Sequence, residues 1–152
     1  MSLLHVYTAN PTASATDGTQ VSEEHALTSP ISGTLTVTAN TGADVAVKCA
    51  VRCDSGYQTT GDTVLSFYTY DSTAKTYSAY TGSNYKIAAD NNYADATTAL
   101  SSATWGTTLT ISDVIGATNK VFWVKMSAAA GATPVKDTSV AIHHTEITEA
   151  TA

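Results

Sequence analysis

DVAVKCAVRCD, running from Asp44 to Asp54, carries the clearest structural signal in the chain. Val45, Val47, Cys49, Val51 and Cys53 share one side of an extended backbone, and Asp44, Ala46, Lys48, Ala50, Arg52 and Asp54 share the other. Alternation of apolar and polar residues predicts an antiparallel strand with one buried and one wetted face. It also accounts for the only two cysteines. Four positions apart on a strand, they lie ~13 Å from each other, beyond the ~7 Å at which a disulfide can close. Two thiols are too few for a metal site, so they read as small buried hydrophobes.

Similar patterns flank this strand. Before the turn at Asn40–Gly42, Ile31, Gly33, Leu35, Val37 and Ala39 alternate with Thr34, Thr36 and Thr38, which predicts a strand starting at Ile31. After it, a loop from Asp54 to Asp62, with Gly56 and Gly61 supplying unusual φ, leads to a strand from Thr63 to Tyr70. In KTYSAYTGSNYKIAADNNY (Lys75–Tyr93), Thr81-Gly82 predicts a hairpin between two short strands. Tyr93 to Ala103 reads as a helical turn from its alanines or a loop from its Thr and Ser. Strands at Thr107–Ser112, Lys120–Ser127 and Val135–Ile147 complete the series. Residues 1–30 differ, because Pro11, Asp17-Gly18 and Pro30 punctuate a polar stretch with one short strand at Leu3–Thr8. The expectation is all-β: a sandwich of about seven strands over residues 31–152, preceded by an extended N-terminal arm over residues 1–30 with no core of its own.

Composition narrows the function classes. Thr, Ala and Ser make up 67 of the 152 residues, and charged residues only 13%, against about 25% in an average soluble domain. That excludes a coiled coil and disfavours a helical enzyme, since β-branched Thr suits strands. Net charge is −6, and the seven basic residues are scattered singly rather than arranged in a stripe. Nucleic acid and anionic membrane surfaces are therefore disfavoured as partners. The N-terminus lacks the charged start and long apolar run of a secretory signal, which predicts synthesis in the cytoplasm.

The segment TTLTISDVIGATNKVFWVKMSA (Thr107–Ala128) resembles the E strand, corner and F strand of immunoglobulin-like and fibronectin type III domains, through Leu109, Ile111 and Val114, then Phe122, Val124 and Met126. Phe122 stands where many members carry the corner tyrosine, and Val124 where antibody domains carry the second cysteine. YTANPTASATDGTQVSEEHALTSPI (Tyr7–Ile31) and VKCAVRCDSGYQTTGDTVLSF (Val47–Phe67) resemble small immunoglobulin-like structural proteins of tailed bacteriophages, which decorate capsids or attach to tails. This resemblance implies a non-enzymatic virion protein that binds major capsid or tail proteins through the arm and a sheet edge, made in the host cytoplasm.

Chemical motifs are sparse. There is no glycine-rich phosphate loop, nucleophile elbow or zinc spacing, so no catalytic residue, cofactor or metal is expected. Four histidines are available, His5, His25, His143 and His144. On a strand His143 and His144 face opposite ways, leaving only His144 and Glu146 on one side, two ligands at most. The tyrosines are more telling: Tyr57, Tyr68, Tyr70, Tyr77, Tyr80, Tyr85 and Tyr93 fall within 37 residues. They read as caps on the core or as a protein interface, and Tyr77, Tyr80, Tyr85 and Tyr93 also as stacking platforms for a glycan. The candidate interface comprises Leu3, Leu4, Val6 and Tyr7 from the arm with Tyr68, Tyr70, Tyr77, Tyr80 and Tyr85, and the partner is a particle lattice, a second copy of the chain, or a glycan.

Overall fold

Alternation in the 44–54 stretch yields the middle strand of a five-stranded antiparallel sheet. A computed structural model describes residues 2–22 and 29–152 of the chain. Its strands in chain order are β1 (Leu4–Thr8), β2 (Thr19–Gln20), β3 (Ala43–Cys53), β4 (Tyr57–Asp71), β5 (Thr76–Ala79), β6 (Tyr85–Ala89), β7 (Thr108–Ile111), β8 (Lys120–Ala128) and β9 (Val140–Ala150). A short helix, α1 (Ala96–Ser102), precedes β7. The first sheet has the order β2-β1-β3-β8-β6. In the second, β4 is flanked by β9 on one side and by β7 and β5, end to end, on the other.

The sheets share one core. Leu4, Val6, Cys49, Val51, Cys53, Ile87, Phe122 and Val124 from the first meet Leu65, Phe67 and Ile111 from the second, with Ile115 between them. Each such side chain, taken fully out of water, contributes ~1.5–3 kcal/mol. Burial pushes the Cys49 thiol up to about 12 and the Cys53 thiol to about 11, so both stay protonated and unreactive at neutral pH. They are free thiols, as the spacing implied.

The start of the chain corrects the expected arm. β1 pairs antiparallel with β3 from Leu4↔Cys53 to Tyr7↔Ala50, and Leu4 is 0% exposed. Leu4 and Val6 are thus core residues rather than a docking surface. Tyr7 is buried on the opposite face with Ala50 and Val121, and the Arg52 guanidinium lies 3.4 Å from its ring centroid. Leu3 is half-buried, its carbonyl accepting from the Asp54 N–H. The following loop is clamped across that face. Arg52 Nη1 donates to Asn119 Oδ1 at 2.6 Å and to the Asp17 carbonyl at 2.7 Å. Asn119 Nδ2 donates in turn to Asp17 Oδ1 and to the Thr12 carbonyl. Pro11 is fully buried beneath. A short apolar strand flanked by polar residues folds into the body because β3 offers it a ladder.

Other expectations shift for equally local reasons. Residues 31–38 form no strand among the described residues, although Ile31, Leu35 and Val37 are half-buried between exposed neighbours. A Cβ on Gly33 would stand 2.7 Å from Val45 Cγ1 and 3.2 Å from Met126 Sδ, so this backbone lies against core-facing side chains instead of beside a strand. The expected hairpin at Thr81-Gly82 is absent: β5 pairs with β4 in one sheet and β6 with β8 in the other, so the chain crosses between sheets there. The expected loop from Asp54 to Asp62 is mostly strand. β4 begins at Tyr57, and Gly61, at φ +73°, sits in a register shift between Thr60 and Val64 that only a left-handed residue accommodates easily. Tyr93–Ala103 resolves into α1, whose first turn is capped by Asp95 Oδ1 accepting from the Thr98 N–H at 2.8 Å. Its Ala99 packs on Ala46 and Trp123 while Tyr7 and Val121 pack on Ala50, so the face of β3 expected to be wet is covered at Ala46 and Ala50.

Candidate functional site: the outer face of the second sheet

Alternation along β4 sends Thr63, Leu65 and Phe67 inward, all buried, and Val64, Ser66, Tyr68 and Tyr70 outward. The core therefore takes the Leu65/Phe67 face, and the tyrosines line the exterior. Register supplies their neighbours. Tyr70 stands opposite Tyr77 on β5, ring centroids 5.2 Å apart. Tyr68, opposite Ala141 on β9, stacks on His143, with centroids 4.0 Å apart and planes 11° from parallel. Thr108 and Thr110 of β7, with Thr145 and Ile147 of β9, continue the same face, and Ile147 is 70% exposed. Burial, aided by the neighbouring His144, holds His143 below its ordinary value. The stack is thus an uncharged aromatic pair at pH 7.

Three of the sequence-derived interface residues, Tyr68, Tyr70 and Tyr77, come together here. Tyr80 and Tyr85 do not. They pack edge to face on each other, 5.3 Å between centroids, and against Phe67, closing one end of the core. Tyr85 donates to Asp137 Oδ2 at 2.9 Å, and burial together with that bond raises its hydroxyl well above the ordinary range. These two serve as core caps, one of the roles open to the cluster. His143, which completes the exterior group, was legible only as one half of a His-His pair. Nothing local announces that it meets Tyr68, because the contact depends on β4–β9 register.

On the inner side of β9, His144 Nδ1 lies 2.7 Å from Glu146 Oε2, as their shared parity implies. Burial of Glu146 opposes ionisation, but the His144 bond and charge and a bond from Ser2 outweigh it, so its carboxyl is held below the ordinary range. His5 bonds Gln20 and approaches Asp54 at 3.5 Å, while His25 lies outside the described residues. Among the described residues no three His, Cys, Asp or Glu side chains converge as a metal would require. No helix of the described residues is long and apolar enough to cross a membrane. What the outer face offers is a low-charge surface of Thr, Tyr and His, a chemistry of contact. No protein-family model, curated protein or solved structure matches this chain.

Proposed function

We propose that this chain is a non-enzymatic structural protein of a tailed-bacteriophage particle, adhering to major capsid or tail subunits through the outer face of its second sheet. The observation that carries the reading is the Tyr68–His143 stack beside Tyr70 and Tyr77 on a face otherwise built mainly of Thr, Ser, Ala, Val and Ile, with the Gln58–Glu149 pair at its far end. Rigid amphipathic rings give contact area at little entropic cost and are enriched at interfaces. Display on a repeated lattice needs little affinity per copy. The immunoglobulin-like resemblance supports this at the corner, since β7 and β8 lie in opposite sheets as E and F strands do. It stops there: β9 returns to the sheet of β4 instead of lying beside β8. With Leu4, Val6 and Tyr7 committed to the body, the face takes the place of the expected arm and sheet edge as the docking surface.

The test is mass spectrometry of purified virions, followed by binding of the Tyr68→Ser/Tyr70→Ser/Tyr77→Ser variant to particles stripped of the chain. Abundant chain in virions and loss of binding by the variant are expected. Absence from virions, or undiminished binding, defeats the proposal. The exposure of Tyr77, 48%, favours glycan stacking as a second reading. A glycan array binding the native chain but not the triple variant would select it.

A further inference from the structure

β9 is an edge strand of 11 residues. One side pairs with β4 along nearly its full length, and the other has no ladder partner among the described residues. Unpaired edges of this length invite another strand, and proteins usually blunt them with charges pointing into the sandwich. β9 carries two such residues, His144 and Glu146, on its inner side. They would oppose an apolar strand. A second β9 is different.

The sequence VAIHHTEITEA centres on Thr145, with histidines at the two preceding positions and a glutamate at the one following. A two-fold axis perpendicular to the sheet at Thr145 pairs all 11 residues of the strand with its copy. Thr145 then faces Thr145 of the second copy, and His144 faces Glu146 of the second copy, twice over. Each carboxylate, already bonded to its own His144, gains an imidazole from the other chain. Shifting the axis by one residue either way opposes like groups, His144 to His144 or Glu146 to Glu146, which cross-strand pairing penalises. On the outer side, His143 meets Ile147 of the second copy, covering the hydrophobe that is 70% exposed in the single chain.

We infer that β9 is the dimerisation edge of this protein, pairing antiparallel with β9 of a second copy about Thr145 to join two second sheets into one. The dimer edge shares His143, Thr145 and Ile147 with the proposed docking face, but it is tested at Glu146 and Thr145 whereas docking is tested at Tyr68, Tyr70 and Tyr77. Loss of dimers and loss of particle binding are therefore read independently.

Sedimentation equilibrium of the full chain should show a concentration-dependent dimer, weakened by Glu146→Lys, with circular dichroism confirming that the variant folds. The sharper test is a cysteine at the exposed two-fold position. Facing residues of an antiparallel pair have Cα atoms about 4.5 or 5.5 Å apart, both within disulfide reach. Thr145→Cys should then oxidise to a covalent dimer at least about tenfold faster than Thr110→Cys, an exposed control on the far side of β4. The native Cys49 and Cys53 are buried and do not compete. A chain that stays monomeric up to its solubility limit overturns the inference. So does a dimer in which Thr145→Cys crosslinks no faster than Thr110→Cys.

Discussion

Replacing Leu4 by alanine separates a strand that belongs to the body from an arm laid upon it. Leu4 is fully buried in the core between the two sheets, on a strand that pairs with β3 from Leu4↔Cys53 to Tyr7↔Ala50. Truncation removes three carbons from a site closed by both sheets, which leaves a cavity the surrounding strands can only partly fill. Losses of this kind cost ~2–5 kcal/mol, so ~3 kcal/mol is expected here. Against a total stability of ~5–15 kcal/mol that is a large fraction. For a chain of this length it lowers Tm by ~6–12 °C. Urea unfolding followed by tryptophan fluorescence measures it directly, because Trp123 is buried on β8, next to β3. The midpoint should fall with the slope unchanged, and Leu3→Ala, at a half-buried neighbour, should cost far less. A loss below ~1 kcal/mol for Leu4→Ala, in the range of surface substitutions, would restore the arm and refute the reasoning.

Three further outcomes follow from named groups. Asn119→Ala deprives the Thr12 and Asp17 acceptors and Arg52 of their shared buried partner, which should cost ~2 kcal/mol and open residues 9–18 to proteolysis; equal protease resistance would count against the clamp. Thr63 Oγ1 is buried without a hydrogen-bond partner among the described residues, so the near-isosteric Thr63→Val should raise stability by ~1 kcal/mol, and a loss seen in chemical denaturation would mean the hydroxyl is satisfied. His143 and Glu146 are both held below their ordinary values of 6.5 and 4.5, so the unfolded chain takes up protons first. Stability is then fully present above pH 6.5 and is lost in two stages as pH falls, below 6.5 for His143 and below 4.5 for Glu146. Thermal melts across this range should show both stages, with Glu146→Gln reducing the lower one, which Asp17, Asp71, Asp95, Asp113 and Asp137, also held below their ordinary value, extend to more acid pH. An unchanged lower stage in that variant would contradict the assignment.

The chain itself determined what depends on neighbours in sequence. Alternation at 44–54 specified β3 and the burial of both cysteines, and alternation at 63–70 put Leu65 and Phe67 opposite Tyr68 and Tyr70. Side-chain direction on a strand repeats every two residues whatever the strand pairs with, so these readings needed no partner. Pairing itself is a different kind of fact. Ile31–Thr38 also alternates yet forms no ladder, and β5 and β6, close in sequence, lie in different sheets. Leu4 becomes core only because β3 has an edge to offer, and His143 becomes half of an aromatic stack only through the register of β9 on β4. Hydrogen bonds between strands join residues tens of positions apart, and which edges meet is settled by the packing of the whole chain. The tyrosine cluster divided for that reason: Tyr80 and Tyr85 turned in to close the core, while Tyr68, Tyr70 and Tyr77 remained on the face that can hold a partner.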